Sequence, residues 1–270
     1  VTSRYGKRLR SIIIGVIIIS FFPTLFFGVE QQKSMKPWEY MLGGRAYSLF
    51  PDIFEKFLYS MTILVAALLF GLFLALTITF ISTLLPRSLQ KIIYGFYTML
   101  EALPDLFIII VLQVSVVAIY KKTGLLIGNV SNVYDSKIYF FPILTLSILP
   151  AIQLFKITYL LLNEEMNKPY VNVARSLGHS NVYITINHVF RNVLASLFHY
   201  SRTIFVFMLS NLFILEYVFN LHGIMTIMLN TKGIAFIITV LFVAIPFSLL
   251  FEWIERYTQR LNVHREEEAA

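Results

Sequence analysis

The sequence predicts an all-α membrane protein with six transmembrane helices and both termini on the cytoplasmic side. Of its 270 residues, 57% are hydrophobic and 14% charged, with 25 phenylalanines. A soluble domain averages about 45–50% apolar and about 25% charged. Six apolar windows follow one another along the chain, and a spanning helix needs roughly 20 apolar residues. With the N-terminus inside, fourteen of the 22 lysines and arginines fall on one side and eight on the other. The richer side is the cytoplasmic one. This composition excludes an ordinary cytosolic enzyme and an intrinsically disordered chain.

Arg4, Lys7, Arg8 and Arg10 precede the apolar run from Ser11 to Val29. A basic front before an apolar stretch resembles a secretory signal. No A-x-A-like cleavage site follows, however, and Pro23 interrupts a run that resumes at Leu25, so the segment is expected to stay as the first span. Five further windows lie at 57–84, 92–120, 138–162, 195–220 and 234–254. Pro104, Pro142, Pro150 and Pro246 sit inside them. Proline kinks a helix and frees a carbonyl, which a bundle tolerates where neighbours or a cavity satisfy it.

The external segments are then 30–56, 121–137 and 221–233. Trp38, Tyr40, Tyr47 and Phe50 in the first predict a helix lying at the interface, where aromatic rings sit well. Glu266, Glu267 and Glu268 read as a solvated cytoplasmic end. With no repeat, low-complexity stretch or linker, residues 1–270 read as one membrane domain. Within it, 1–56 hold the first span and a short external segment, 57–255 the core, 163–192 a cytoplasmic element and 256–270 the tail.

Residues 163–192 are too polar to span and too patterned to be a loose linker. Pro169 suits the first turn of a helix, where its missing N–H costs nothing. Tyr170, Val173, Ala174 and Leu177 then recur at i, i+3, i+4 and i+7, an apolar face opposite Asn172, Arg175 and Ser176. Gly178 supplies the left-handed residue that closes many helices. Ser180 can cap a second helix, with Val182, Ile186, Val189 and Phe190 as its apolar positions. Two short helices at an angle, joined by a glycine, can serve as a docking corner or simply link two spans.

Ala174 and Gly178 match the A-x-x-x-G core of the "EAA" loop, and here the chain resembles the binding-protein-dependent ABC importer permeases. Tyr170-Val171, Ala174-Arg175, Gly178, His188 and Arg191-Asn192 are similar to the version in the oligopeptide, dipeptide and nickel permeases. Leu149-Pro150-Ala151 resembles that group's L-P-A, and Glu216, Val218-Phe219 and Gly223 its E-x-V-F-x-x-x-G. Glu101-Ala102-Leu103-Pro104 and Phe107 match its third helix more loosely. The likeness covers roughly 57–255. Asn172 stands where the general motif has a glutamate, Val173 replaces its first alanine, and the later proline is absent.

The resemblance implies a type I importer fold and a subunit that does no chemistry itself. Its partners would be a second, different permease subunit, two cytoplasmic ATPase subunits and an extracellular or periplasmic solute-binding protein. The setting would be the bacterial cytoplasmic membrane. By the same resemblance, Tyr170, Ala174, Arg175, Gly178 and His179 form the surface that docks in a cleft of the ATPase. Arg175 would pair with an acid there or anchor the loop at the membrane. The cargo would be an oligopeptide, a dipeptide or a similar small solute, with a metal chelate still open.

The residues themselves offer no competing chemistry. Gly6-Lys7 lacks the upstream glycine of a P-loop, so ATP and magnesium are expected on the partner subunits and no cofactor on this chain. There is no cysteine, no H-E-x-x-H, and no metal-ligand spacing among five histidines. The net charge of +7 reads as topology and not as a nucleic-acid surface. Glu101, Gln113, Gln153, Asn211 and Glu216 are ionisable or amide groups within predicted spans and are candidates for the translocation pathway. Glu216 reads equally as a structural partner near the external end, and Gln153 and Asn211 as interhelical links. An ATP-independent secondary transporter or channel is the alternative; it would show more embedded charge or an internal repeat.

Overall fold

Ahead of the first long helix, two short strands pair where an interfacial helix was expected. β1 (Glu39–Leu42) and β2 (Arg45–Ser48) run antiparallel, with Glu39 opposite Ser48 and Leu42 opposite Arg45. The two residues between Leu42 and Arg45 are glycines. Gly44 takes φ +78°, the left-handed conformation that such tight hairpin loops demand. Tyr40 and Tyr47 face each other across the strands and stack at 5.6 Å. Tyr40 and Tyr47 therefore serve cross-strand packing and not a helix face, while Phe50 packs against Trp38 and Phe54.

The chain is described here from a computed structural model, which covers residues 38–42, 44–124, 137–231 and 234–250 together with Ser11, Ile14, Gly15, Ile17, Ile18 and Glu252. Those five early residues are helical. The rest of the predicted first span, most of the external segment 121–137 and the tail 256–270 lie outside the described residues.

Packing divides the chain into two compact units, one of residues 1–60 with 222–270 and one of residues 61–221. α1 (Leu49–Thr83) contributes to both. In the first unit, Phe50 is extended and the helix proper begins at Pro51. Tyr40, 1% exposed, donates its hydroxyl to Asp52 at 3.0 Å in the first helical turn. Lys56 Nζ donates to the His222 carbonyl at 2.9 Å, and the Ile224 N–H donates to Ser60 Oγ at 2.9 Å. These bonds hold α8 (Ile224–Asn230) beside the start of α1. The apolar helix α9 (Ile234–Leu250) sends Phe242 edge-on against Phe54 and Phe57.

The second unit holds the rest of α1, α2 (Arg87–Glu101), α3 (Asp105–Thr123), α4 (Phe140–Met166), α5 (Pro169–Ser176), α6 (Asn181–Ile184) and α7 (Phe190–Val218). The window 92–120 is thus two helices and not one. Ala102 caps α2 and Pro104 starts α3, since a proline cannot donate to the preceding turn. By length and composition, α1, α3 and α4 can each cross a membrane among the described residues. The apolar stretches 203–218 and 234–250 are shorter.

α4 is the centre of this unit. Leu149, Pro150 and Ala151 are buried, and α1 approaches there at Gly71. A Cβ on Gly71 would lie 2.9 Å from the Ser147 carbonyl oxygen, so only glycine permits the approach. α2 packs on the other part of α4 through aromatic rings: Tyr94 stacks on Tyr159 at 5.1 Å, and Tyr97 lies 4.3 Å from Phe155.

Candidate functional site

α5 begins as the sequence dictates, with Pro169 in its first turn after an extended Lys168. Its end is equally local. Gly178 adopts φ +83°, and the His179 N–H reaches back to the Ala174 carbonyl at 3.3 Å, the closure that a left-handed glycine allows. Ser180 then caps α6 by accepting from the Tyr183 N–H at 3.3 Å. α6 does not end in a loop. A π turn over Thr185–Val189 carries it directly into α7.

The faces of this corner differ from the expected stripe. Val171 and Ala174 turn inward and join Leu162, Ile184, Val189 and Val193 in one buried cluster, with Tyr170 packed against it. Val173 and Leu177 point outward at 61% and 72% exposed, and Val182 and Ile186 are exposed as well. With apolar residues all round so short a helix, tertiary packing and not periodicity decides which side is covered. Ala174 is small where α5 meets its neighbours, and the outer surface is made by others.

That outer surface is ordered by polar contacts. Arg175 donates to Asn181 Oδ1 at 3.1 Å and to Asn172 Oδ1 at 3.3 Å, bracing α5 against α6. The asparagine that replaces the usual glutamate therefore takes a bond from the arginine on its own helix. His179 stacks on Tyr183 at 4.7 Å, and Tyr183 meets His188 edge-on. Arg175, Gly178 and His179 are all exposed.

Beneath the corner lies a group that periodicity did not reveal. Glu165, 8% exposed, accepts from the Tyr170 hydroxyl at 3.0 Å and from Asn192 Nδ2 at 2.9 Å, and pairs with Lys168 at 2.5 Å. Burial, reinforced by the adjacent Glu165 charge, holds the Tyr170 phenol above its ordinary value, so it remains a donor. The only signal in the sequence is a carboxylate five residues before a tyrosine. Asn192 is 27 residues further along than Glu165 and unreadable as its partner.

The candidate pathway residues take varied places. Glu101, at the end of α2, pairs with Lys156 on α4. Gln113 Nε2 donates to the Val218 carbonyl at 3.0 Å, linking α3 to α7. Gln153 is half-buried, while Asn211 and Glu216 are buried on α7. After Glu216 the chain turns through Asn220 and His222, both left-handed.

Residues 67–261 match the family described as binding-protein-dependent transport system inner membrane component. The chain belongs to that family. No curated protein matches it in sequence. As a permease component of a binding-protein-dependent ABC transporter, the chain works with other subunits, and the corner at 169–192 lies inside the matched region. So do α4, α7 and all five candidate pathway residues.

Proposed function

We propose that this permease crosses the bacterial cytoplasmic membrane six times with both termini inside, and that partner ATPases drive it as an importer of oligopeptides, dipeptides or similar small solutes. It pairs with a second, different permease subunit and receives cargo from an external solute-binding protein. ATP and magnesium are held by the ATPase subunits and not by this chain. The corner formed by α5 and α6 is the coupling element, with Tyr170, Ala174, Arg175, Gly178 and His179 forming or shaping its surface. ATPase closure pushes the corner, and the attached helices rock so that the cavity changes side. Glu101, Gln113, Gln153, Asn211 and Glu216 are proposed to line or frame that cavity.

The observation that carries this reading is the corner's outer surface. Leu177, 72% exposed, and its exposed neighbours Val173, Val182 and Ile186 stand on a segment too polar to span. Apolar groups presented on a braced polar frame fit a partner's cleft. The peptide-group cargo rests on the motif likeness at 149–223 alone.

The test is co-purification of the tagged chain with the products of its neighbouring genes in mild detergent. An ATPase is expected to accompany the native chain. Leu177→Glu, which touches only the surface, is expected to lower its recovery about tenfold. Gly178→Trp adds backbone strain to the wedge and should lower it at least as far. A native chain that recovers no ATPase would overturn the coupling reading and leave an ATP-independent transporter in its place.

A further inference from the structure

We propose that Glu165 is a positioning residue, a carboxylate that fastens α5 to both α4 and α7 so that the coupling corner and the two long helices move as one body. The inference rests on the coupling reading above and adds the part that makes the corner stiff.

Three elements meet on this one side chain. Glu165 belongs to the last turn of α4. Lys168 stands just before α5 and reaches Oε2. Tyr170, in the first turn of α5, and Asn192, in the first turn of α7, both donate to Oε1. Asn192 Nδ2 also lies 3.5 Å from the Tyr170 hydroxyl, so the donors are tied to one another. A carboxylate at 8% exposure that lost its donors would be a poorly solvated charge, and such networks hold or fail together.

The backbone path supplies the reason a cross-link is needed. Between the corner and α7 the chain runs through the π turn at Thr185–Val189. A π turn is a local departure from the regular ladder, found mostly as single-turn insertions and often at functional sites. A push on the corner travelling only through that turn can be absorbed there. The Glu165 contacts bypass it, joining α5 directly to α7 at Asn192, beyond the turn. They also join α5 to α4 across the short Asn167-Lys168 link.

The experiment uses the full chain in its complex with the ATPase and second permease. The native chain has no cysteine, so Tyr217→Cys, at a site 75% exposed near the end of α7, gives this chain a single thiol, read on its own band once the subunits are separated. Its reaction rate with a membrane-impermeant maleimide is compared without nucleotide and after trapping with ATP and vanadate. Trapping is expected to change the rate in the Glu165 background. Glu165→Ala should keep the ATPase bound and hydrolysing while shrinking that change at least about fivefold. Tyr170→Phe should produce part of the defect, and the double variant should be no worse than Glu165→Ala alone. Val171→Ala, a cavity in the same cluster, should leave the change intact.

A full trapping response in Glu165→Ala or Tyr170→Phe overturns the proposal, as does an equal loss in Val171→Ala, which would make the effect one of packing. If Glu165→Ala does not assemble, Tyr170→Phe and Asn192→Leu, each of which removes a donor to Oε1, carry the same comparison. Loss of the ATPase from the native chain is a separate outcome: it removes the coupling reading and this proposal with it.

Discussion

α3 and α4 are both long and apolar enough to cross a membrane, yet 61% of the apolar stretch of α4 is buried within the chain and only 6% of that of α3. The two helices carry similar shares of polar and small residues, but on α4 several of these are covered by the rest of the chain. Thr145, Ser147 and Thr158 on α4 are buried, and the last two bond back to backbone carbonyls at 2.7 and 2.6 Å. α3 instead shows Leu106, Phe107, Ile110, Val111 and Val114 to the outside. In lipid, an apolar surface gains little by meeting another apolar surface. Helices associate where small residues allow close approach and polar groups find partners. Hydropathy therefore identifies which segments can cross, while the small and polar residues that are buried mark which of them is central. In this chain the central one is also the helix that ends in Glu165 and leads into the corner at 169–192.

The largest effect should come from blocking the close approach on α4. Gly71→Leu would drive a side chain into the Ser147 carbonyl and the Pro150 ring, which lie 2.9 and 3.4 Å from the position of a Cβ. Backbone cannot step aside there without moving α4. Recovery of monodisperse protein from detergent is expected to fall by about tenfold or more, as over-packing costs typically 1–3 kcal/mol and a backbone clash more. Gly95 on α2 has nothing within 4 Å of its Cβ position, and Gly95→Ala should be harmless in the same assay. Equal tolerance at both sites would break the distinction between a packed helix and a bare one.

A smaller effect is expected at the charged link between α2 and α4. Glu101→Lys places two cations together beside Tyr94 and should lower the thermal midpoint by about 2–4 °C. The exchange Glu101→Lys with Lys156→Glu should restore most of it. Failure of the exchange to restore the midpoint would mean that Glu101 acts through something other than Lys156, as a pathway residue would.

How much of this was legible depends on the range of the cause. Pro169, Gly178 and Ser180 act within a few residues of themselves, and the starts and stops of α5 and α6 followed from them. The break at Ala102–Pro104 was equally local but was read as a kink, because the flanking residues are apolar on both sides. The hairpin was missed for a different reason. The Gly43-Gly44 pair between Tyr40 and Tyr47 is a turn signal, but aromatic residues beside a span were assigned to the interface first. Burial at the corner depends on Leu162, Ile184 and Val193 arriving from other elements, and no spacing within α5 distinguishes Val171 from Val173. Glu165 left only the faint trace of a tyrosine five residues on, since the rest of its meaning lies in Asn192.

Gln113 sharpens the comparison at its weakest point, because it is a polar residue in the middle of α3 that bonds to another helix: its amide donates to the Val218 carbonyl on α7. If exposed apolar surface contributes little to holding α3, this bond is a large share of what does. Gln113→Leu removes the donor and keeps the bulk, and should cost about 0.6–2 kcal/mol in a reversible unfolding assay in mixed micelles. Val114→Ala, one residue along at 59% exposure, should change stability by less than about 0.5 kcal/mol. The order of these two neighbours is the informative result. A loss at Val114 as large as that at Gln113 would show that the outer face of α3 is packed, against another subunit or against residues of this chain outside the described ones.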